Sequence, residues 1–415
     1  MRLTTLFIAA FCLAVSASPG NAGGTCRTCH AVPVRGAHAG VPCASCHILD
    51  GKTVRDPAAA AIGARGCVSC HAGTGKIFDG PMSVRSGERE FASRTVGRFD
   101  PGFFGTECGS CHVAGCLDCH EGGGHALAKP GMKSCLRCHS GYFVGADYLG
   151  LAPREENLRY ARGPSAGGES YLKMLPDVHA EANMPCGDCH SMKSLAAGKK
   201  SSRACTDCHK ADKSVVEHRI GAHLARMECF ACHSAWAAQE YGTFFIRTGG
   251  GDDNGYGVRH RTPGYARSVY LRKQDAPPLG VNGRGRISPI RPQFIVYYSD
   301  ARAGGGPREE NRLLAASWRA FFPHTVRKGT ILCGGCHGDS RRVVLEGKQD
   351  RIYGLEQDGM GLASFWDRTG QGVTNGSFLD RARGARLSGK SRAYKKAFVE
   401  KWKTLTDRVE RSSGP

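Results

Sequence analysis

The apolar positions of the chain fall into a few short runs, separated by long polar and glycine-rich stretches. The first run, from Leu6 to Val15, follows the basic start Met1-Arg2 and gives way to small residues ending at Ala22. This order of regions is typical of a secretory signal peptide that is cleaved near Ala22. Because a membrane span needs about 20 apolar residues, we expect residues 1–22 to be removed and the mature chain to have no transmembrane span.

Three later runs predict secondary structure. The apolar run from Gln293 to Tyr298 predicts a strand. Residues Glu309 to Phe322 predict a helix that ends before Pro323 and has one apolar face formed by Leu314, Trp318 and Phe321. Near the C-terminus, apolar residues three or four positions apart predict an amphipathic helix that docks on the protein's own core; they are Tyr394, Phe398, Trp402, Leu405 and Val409.

One motif, Cys-x-x-Cys-His, occurs ten times and uses every cysteine beyond the predicted signal peptide. It is the attachment signature of c-type haem. Two thiols three positions apart reach the two vinyl groups on one haem edge, and the next imidazole binds the iron as proximal ligand. We therefore expect ten copies of haem c. The motifs, numbered one to ten in chain order, are Cys26-Cys29-His30, Cys43-Cys46-His47, Cys67-Cys70-His71, Cys108-Cys111-His112, Cys116-Cys119-His120, Cys135-Cys138-His139, Cys186-Cys189-His190, Cys205-Cys208-His209, Cys229-Cys232-His233 and Cys333-Cys336-His337.

Two other uses of paired cysteines compete with this interpretation. A disulfide scaffold would suit an exported chain, and paired Cys-x-x-Cys zinc sites would suit a metal-binding one. Neither explains a histidine directly after the second cysteine in all ten motifs. The pattern therefore favours haem.

Each haem iron also needs a ligand on its distal side, or it stays open to a substrate. The candidate distal ligands are the histidines outside the motifs: His38, His125, His179, His218, His223, His260 and His324. Because these are fewer than the ten motifs, at least three irons must take another ligand, such as methionine, or remain open. Any one methionine is more often a core residue than a ligand.

Arg259, His260 and Arg261 are candidate catalytic residues. Two guanidinium groups beside an imidazole could bind an oxyanion near an open iron. The alternative is that both arginines pair with haem propionates while His260 binds an iron, since structural ion pairs also form such clusters.

The formal net charge of +20 would ordinarily suggest an acidic partner such as nucleic acid. Each haem brings two propionate carboxylates, partly offset by one positive charge on a ferric porphyrin. Ten haems would thus remove about ten charges when oxidised and about twenty when reduced. We therefore expect many arginines and lysines to pair with propionates, and we expect no nucleic-acid partner.

The spacing of the motifs predicts six segments. They are the signal peptide (1–22), a first group of three haems (23–75), a linker with a second group of three (76–140), a linker with a third group of three (141–233), a haem-free insertion (234–332), and the tenth haem with the C-terminal helix (333–415). The predicted fold is mainly α with extensive irregular structure and a core of covalently bound haems, plus a small mixed α/β-like insertion. Cys108 and Cys116 are so close in sequence that their haems must nearly touch, which favours a continuous path for electrons.

With its signal peptide and ten motifs, the chain resembles the multihaem c-type cytochromes of metal-reducing bacteria. Three segments are similar to cytochromes encoded with selenite/tellurite-type extracellular electron conduits: Gly141–Tyr148, Tyr171–His179 and Cys229–Trp236. The chain also resembles, more loosely, the octahaem tetrathionate and hydroxylamine enzymes. No Cys-x-x-Cys-Lys occurs, so the lysine-ligated haem of pentahaem nitrite reductases is missing.

These features predict a multihaem electron carrier of anaerobic respiration, located in the periplasm or at the outer membrane or cell surface. Its expected partners are other redox proteins: cytochromes, a quinol-oxidising complex or an outer-membrane porin–cytochrome conduit. The alternative is an oxidoreductase that reduces an oxyanion or a small nitrogen or sulfur compound at one open haem. A third class, a structural subunit of a haem filament or a porin plug, is also compatible with the motifs.

Overall fold

The structure is a computed structural model of the 415-residue chain. It describes residues 38–39, 41, 48–50, 53–55, 67–68, 70–108, 112–113, 115–120, 127–139, 147–149, 162–166, 169–173, 177–197, 202–247, 260–262, 264–300, 311–329, 331–339, 342 and 372–412. The predicted signal peptide and the first two haem motifs lie outside these residues.

Short helices and strands alternate with irregular segments along the chain. The strands are β1 (Ile48–Asp50), β2 (Thr53–Arg55), β3 (Asp147–Leu149), β4 (Arg162–Ala166), β5 (Glu169–Lys173), β6 (Trp236–Arg247), β7 (His260–Thr262), β8 (Tyr265–Asp275), β9 (Leu279–Asn282), β10 (Ile287–Asp300), β11 (Arg312–Ala320) and β12 (Gly376–Phe378). The α-helices are α1 (Pro81–Val84), α2 (Ser86–Arg94), α3 (Met132–Leu136), α4 (Val178–Glu181), α5 (Cys186–Cys189), α6 (Met192–Ala196), α7 (Val216–Arg219), α8 (Gly221–Arg226), α9 (Cys229–His233), α10 (Cys333–His337), α11 (Arg381–Ser388) and α12 (Arg392–Ser412). Single turns of 3₁₀-helix cover Thr74–Asp79, Val96–Arg98, Cys116–Asp118 and Cys205–Asp207, and a π-helical turn covers Phe104–Cys108.

A seven-stranded sheet is the largest regular element of the described chain. Its order is β12-β9-β10-β6-β8-β7, and β11 also pairs with β10. Strand β10 is central because its start pairs with β9, its middle with β11 and its end with β6, which is the one parallel pairing among these strands. Gly280 allows β9 to fit between its neighbours, since a Cβ there would lie 2.6 Å from Cγ2 of Ile290 and 2.8 Å from the carbonyl oxygen of Ser377.

Both faces of β10 are buried, because successive side chains of a strand point to opposite faces. Ile295 and Tyr297 belong to one cluster, which is completed by Ile290, Trp318, Ala320 and Val373. Val296 and Tyr298 belong to a second cluster, completed by Ala92, Val96, Phe103 and Tyr265. Ala92 lies on α2, so the segment between motifs three and four covers this second face.

The structure confirms the predicted strand at Gln293–Tyr298, which lies within β10. The helix predicted over Glu309–Phe322 is wrong, because Arg312–Ala320 forms strand β11. Trp318 and Ala320, two positions apart, are its most buried residues, as strand periodicity requires. The spacing of Leu314 and Trp318 fits either element, and pairing with β10 decides it in favour of the strand.

The predicted C-terminal helix is confirmed as α12. Its expected docking is only partly correct. Tyr394, Phe398 and Leu405 are half-buried, but Trp402 is 51% exposed and Val409 is 64% exposed. No helix in the described part of the chain is long and apolar enough to cross a membrane.

The chain divides into two compact units. The first contains residues up to Arg85, His112–Arg137 and His190–Ser201, and the second contains Ser86–Cys111, Cys138–Cys189 and Ser202–Pro415. In the first unit, the turn Thr74–Asp79 packs with α6. The predicted six-segment division stays a prediction.

In the second unit, a third apolar cluster joins the sheet to two haem motifs. Its buried residues are Met227, Ala231, Leu279, Val281 and Leu379, and Cys232 and Cys336 pack against them. The sheet is therefore the support on which motifs nine and ten are held.

Candidate functional site

Four histidines of the motifs each lie beside one histidine from outside the motifs. In the first unit, the ring centroids of His38 and His71 are 5.9 Å apart. In the second unit, the corresponding separations are 5.9 Å for His179 and His209, 6.1 Å for His218 and His233, and 6.1 Å for His223 and His337. Every pair thus joins one predicted proximal ligand to one predicted distal ligand. The four pairs belong to motifs three, eight, nine and ten.

This separation fits a metal ion held between two imidazoles. Imidazole nitrogen binds first-row metals at about 2 Å, so two rings on opposite sides of one ion have centroids roughly 6 Å apart. Among the described residues, no three histidine, cysteine, aspartate or glutamate side chains gather as a direct metal site. A haem iron needs only two protein ligands, because the porphyrin supplies the others. The pairs therefore fit haem in both number and spacing.

Hydrogen bonds at Nδ1 fix the orientation of several of these rings. His218 donates from Nδ1 to the carbonyl oxygen of Asp212 at 3.0 Å, His233 to that of Arg327 at 3.3 Å, and His337 to that of Leu387. Because a carbonyl oxygen only accepts, the proton stays on Nδ1 and the lone pair of Nε2 is available to a metal. In motif five, His120 makes the same kind of contact with the carbonyl oxygen of Ala128, at 3.2 Å.

His179 is held differently, by a carboxylate. Its Nδ1 lies 2.9 Å from Oδ1 of Asp177, which also accepts from the backbone N–H of His179 at 2.8 Å. The other oxygen, Oδ2, accepts from the backbone N–H of Val326 at 2.6 Å. Asp177 is 3% exposed, so this carboxylate is almost completely withdrawn from water.

Burial also sets the protonation of two ligand candidates. It lowers the pKa of His233 and of His223, and the nearby His337 lowers that of His223 further. A lowered pKa favours the neutral imidazole. Neutral imidazole is the form that binds a metal.

Thiols of different motifs lie close together. In the second unit, Cys205 of motif eight is hydrogen-bonded to Cys229 of motif nine, which lowers the pKa of Cys229 to about 6 and raises that of Cys205. Cys189 of motif seven interacts electrostatically with Cys208 of motif eight. Cys232 of motif nine interacts in the same way with Cys336 of motif ten. Burial is the main reason that the pKa of Cys232 rises to about 11. Each motif from seven to nine therefore has a cysteine near a cysteine of the next motif.

The first unit contains a similar contact. Cys67 of motif three is hydrogen-bonded to Cys116 of motif five, and burial together with this contact raises the pKa of Cys116 to about 11.

We call the histidine pair of each motif, together with its cysteines, a site and give it the number of the motif. A backbone segment of the insertion connects sites eight and nine. Val326 binds Asp177 through its N–H, and its carbonyl oxygen accepts from the N–H of Val178 at 3.0 Å. The next residue, Arg327, donates its backbone N–H to the carbonyl oxygen of His233 at 2.9 Å. The carbonyl oxygen of Arg327 in turn accepts from Nδ1 of His233. Thr325 anchors the segment to the carbonyl oxygen of Trp236 at 2.6 Å.

A second connection runs from the sheet to sites nine and ten. The carboxylate of Glu228, directly before motif nine, accepts hydrogen bonds from the side chains of Asn282 at 2.7 Å and Arg284 at 2.8 Å. It also forms an ion pair with Arg286, whose Nε lies 3.5 Å from Oε2 of Glu228. Arg286 also donates to carbonyl oxygens at the end of α8, which carries His223; they are those of Leu224, Ala225 and Met227. This arginine thus holds the helix that presents a distal histidine.

The buried Arg342 makes a third connection. Its side chain donates to the carbonyl oxygen of Ala231 in motif nine at 2.7 Å and to that of Pro277. Arg342 therefore ties helix α9 to the segment directly before β9, and both lie in the second unit.

Other predicted site residues have different outcomes. Arg259 and His125 lie outside the described residues, and for His260 and Arg261 the structure gives only the backbone of strand β7. The ring of His324 contacts Phe322, with centroids 4.5 Å apart. The predicted cluster Arg259-His260-Arg261 therefore stays a prediction.

Four supporting residues were missed by sequence reasoning: Asp177, Arg286, Arg327 and Arg342. Asp177 had a detectable signal, since it stands two positions before a candidate ligand and could reach its Nδ1 locally. The three arginines contact residues that lie 59 or more positions away in the sequence. No local pattern distinguishes them from the chain's other arginines.

No protein-family model and no solved structure matches the chain. It is similar to the dissimilatory sulfite reductase MccA of Wolinella succinogenes, with 24% identity over 153 residues. The match covers 28% of this chain and 21% of that protein, so it spans about a fifth of the relative's length. Together with the attachment motifs, this similarity supports a multihaem c-type cytochrome.

Proposed function

We propose that the chain is an exported electron-transfer cytochrome that binds ten haems c and passes electrons between redox proteins in anaerobic respiration. The observation that carries this proposal is the set of four histidine pairs, each at a spacing that suits an iron bound from both sides. An iron with two imidazole ligands has no open position for a substrate. Such sites therefore favour electron transfer over catalysis.

Each residue type has a role in this proposal. The paired cysteines anchor the haem, His71, His209, His233 and His337 are proximal ligands, and His38, His179, His218 and His223 are distal ligands. Bound haem supplies an iron that takes up and releases one electron. The protein itself holds the rings of His179, His218, His233 and His337 through Nδ1. Burial keeps the imidazoles of His223 and His233 neutral, and cysteines of successive motifs from seven to ten lie near one another.

Removal of a distal histidine tests the ligand assignments. We expect H38A, H179A, H218A and H223A each to convert one haem from low-spin to high-spin, seen as a new high-spin signal in electron paramagnetic resonance of the oxidised protein. E181A is the control and should leave the number of low-spin haems unchanged, since Glu181 lies on the helix of His179 but pairs with Arg327. Histidine variants that keep the wild-type spectrum would contradict the assignment.

The number of haems and the site of signal-peptide cleavage need separate measurements. Mass spectrometry of the purified protein should show ten haems per chain and a mature N-terminus near Gly23. Fewer haems would mean that some motifs stay unmodified.

A reductase is the second candidate function, and the similarity to a sulfite reductase is the observation that favours it. In that case one of the other six haems has an open position, and Arg259, His260 and Arg261 bind the oxyanion. The test is anaerobic consumption of sulfite, nitrite, hydroxylamine, tetrathionate or selenite, with reduced methyl viologen as electron donor. Turnover that is lost in R259A, H260A or R261A, with unchanged spectra of the other haems, would replace the carrier proposal with the reductase.

A further inference from the structure

Aromatic rings connect the tenth motif to the surface of the C-terminal helix. The ring of Tyr394 lies 4.9 Å from that of His337, Phe398 lies 5.9 Å from Tyr394, and Trp402 lies 6.1 Å from Phe398, all between centroids. His337 and Tyr394 are partly shielded, whereas Trp402 is half exposed. A continuous series of packed rings therefore joins a predicted iron ligand to solvent.

The exposed side of the same helix is basic. Arg392, Lys395, Lys396 and Lys403 are exposed around Trp402. The first three, together with Ala393 and Val399, line an open groove of about 650 Å³.

The opposite side of α12 holds it to the protein. Lys401 is bonded to Glu217 at 3.1 Å, and Glu400 pairs with Arg219. The inward charges of the helix are thus used within the chain, while the lysines around Trp402 point to solvent.

We propose that this surface, formed by Arg392, Lys395, Lys396, Val399, Trp402 and Lys403, is the docking site of a one-electron redox protein with an acidic face. The inference rests on the proposed electron-transfer function and specifies where a partner binds. One electron passes between site ten and the partner, so that one of them is oxidised by one electron and the other reduced by one, without transfer of a proton.

Three properties of the surface fit this kind of partner. Lysines attract an acidic face over a distance and increase the rate of encounter. A partly exposed tryptophan beside aliphatic surface is typical of the centre of a protein interface. The packed rings leave little empty space between His337 and the docked protein, which shortens the path for an electron.

The experiment measures electron transfer from a reduced plant-type ferredoxin, an acidic one-electron protein, to the fully loaded oxidised cytochrome by anaerobic stopped flow. We expect the second-order rate constant of the wild type to fall as salt is added. In K395E/K396E/K403E it should fall at least tenfold at low ionic strength, with a much weaker dependence on salt. W402A should lower the rate severalfold but keep the dependence on salt, because the lysines remain.

The matched control is K76E/K129E/K193E, which makes the same change in charge at three exposed lysines of the first unit. It should stay within twofold of the wild type. Reduction by methyl viologen radical, a small cationic donor, should be equally fast in all variants at high ionic strength, where salt screens the changed charges.

Two outcomes would overturn the docking site: an unchanged ferredoxin rate in K395E/K396E/K403E, or an equal loss in the control variant. An unchanged ferredoxin rate in K395E/K396E/K403E, together with loss of its binding to phosphatidylglycerol vesicles, would assign the surface to an anionic membrane. Failure of the electron-transfer function itself would appear differently, as a wild type that methyl viologen radical cannot reduce.

Discussion

Asp177 distinguishes site eight from the other described sites at the scale of single residues. Its carboxylate accepts from Nδ1 of His179, whereas His218, His233 and His337 donate to neutral carbonyl oxygens. A carboxylate makes the imidazole a more basic ligand and so stabilises the more positive, ferric iron. Site eight should therefore have a lower reduction potential than it would with a carbonyl partner.

We expect D177N to raise the midpoint potential of one haem and to leave the others near their wild-type values. A spectropotentiometric titration, followed by electron paramagnetic resonance, measures this. E181Q is the control, because Glu181 lies on the same helix and pairs with Arg327 but does not touch the His179 ring. A titration curve that D177N leaves unchanged would contradict this role.

At this scale the sequence predicts more about where haem is attached than about which histidine binds the distal side of each iron. The ten motifs follow from local spacing alone, and the candidate distal histidines follow from counting what remains. Their partners do not follow, because His179 pairs with motif eight across the whole of motif seven, and His223 reaches motif ten 114 positions away. Those pairings depend on the tertiary fold.

At the scale of elements, Arg286 is the residue that connects the sheet to a ligand helix. It donates to three carbonyl oxygens at the end of α8 and also lies beside Glu228. Carbonyl groups at the end of a helix have no partner within the helix, so the guanidinium group satisfies them.

We expect R286A to lower the free energy of unfolding of the loaded protein by about 1–3 kcal/mol, since three side-chain hydrogen bonds are lost, of which the one to Met227 is partly buried. R284A is the control: its side chain is 70% exposed and pairs with the same Glu228, so its effect should stay below about 1 kcal/mol. Chemical denaturation followed by haem absorbance measures both. Equal losses in the two variants would show that the helix contacts of Arg286 contribute nothing.

The elements also show where sequence patterns are ambiguous. The run Gln293–Tyr298 is rich in β-branched and aromatic residues and forms the expected strand. Residues 312–320 carry apolar side chains that fit either a helix or a strand, and the antiparallel pairing with β10 selects the strand. For α12, the periodicity predicted the helix but not which of its apolar residues stay exposed, because that depends on the lysines and partners around them.

At the scale of the whole molecule, the main question is how the charge of the polypeptide is balanced. The sequence has a formal net charge of +20 and an isoelectric point of about 9.3. Twenty propionates from ten haems would offset much of that charge.

We therefore expect the folded, fully loaded protein to focus well below pH 9.3, and to focus lower when reduced than when oxidised, since each reduced iron loses one positive charge. Isoelectric focusing under anaerobic conditions measures this. The same chain produced without haem attachment is the control and should focus near the value of the sequence. A loaded protein that focuses with the control would mean that few haems are bound.

The two-unit organisation was not evident from the chain. Motif spacing divides the sequence into consecutive segments, whereas the compact units interleave distant segments. Helix α2 covers the sheet from a position more than 140 residues before strand β6. Contacts of this kind depend on which apolar faces fit together, and consecutive spacing holds no information about them.

The four histidine pairs have one further consequence, for the assembly of the protein. In every pair the distal histidine precedes its motif in the chain: His38 before His71, His179 before His209, His218 before His233 and His223 before His337. A chain that is exported N-terminus first thus has each second ligand outside the membrane before the matching thiols emerge. In the proposed cytochrome, each of these haems would then be ligated from both sides as soon as it is attached, so that none of these four irons would have to wait in a reactive five-coordinate state for the rest of the chain.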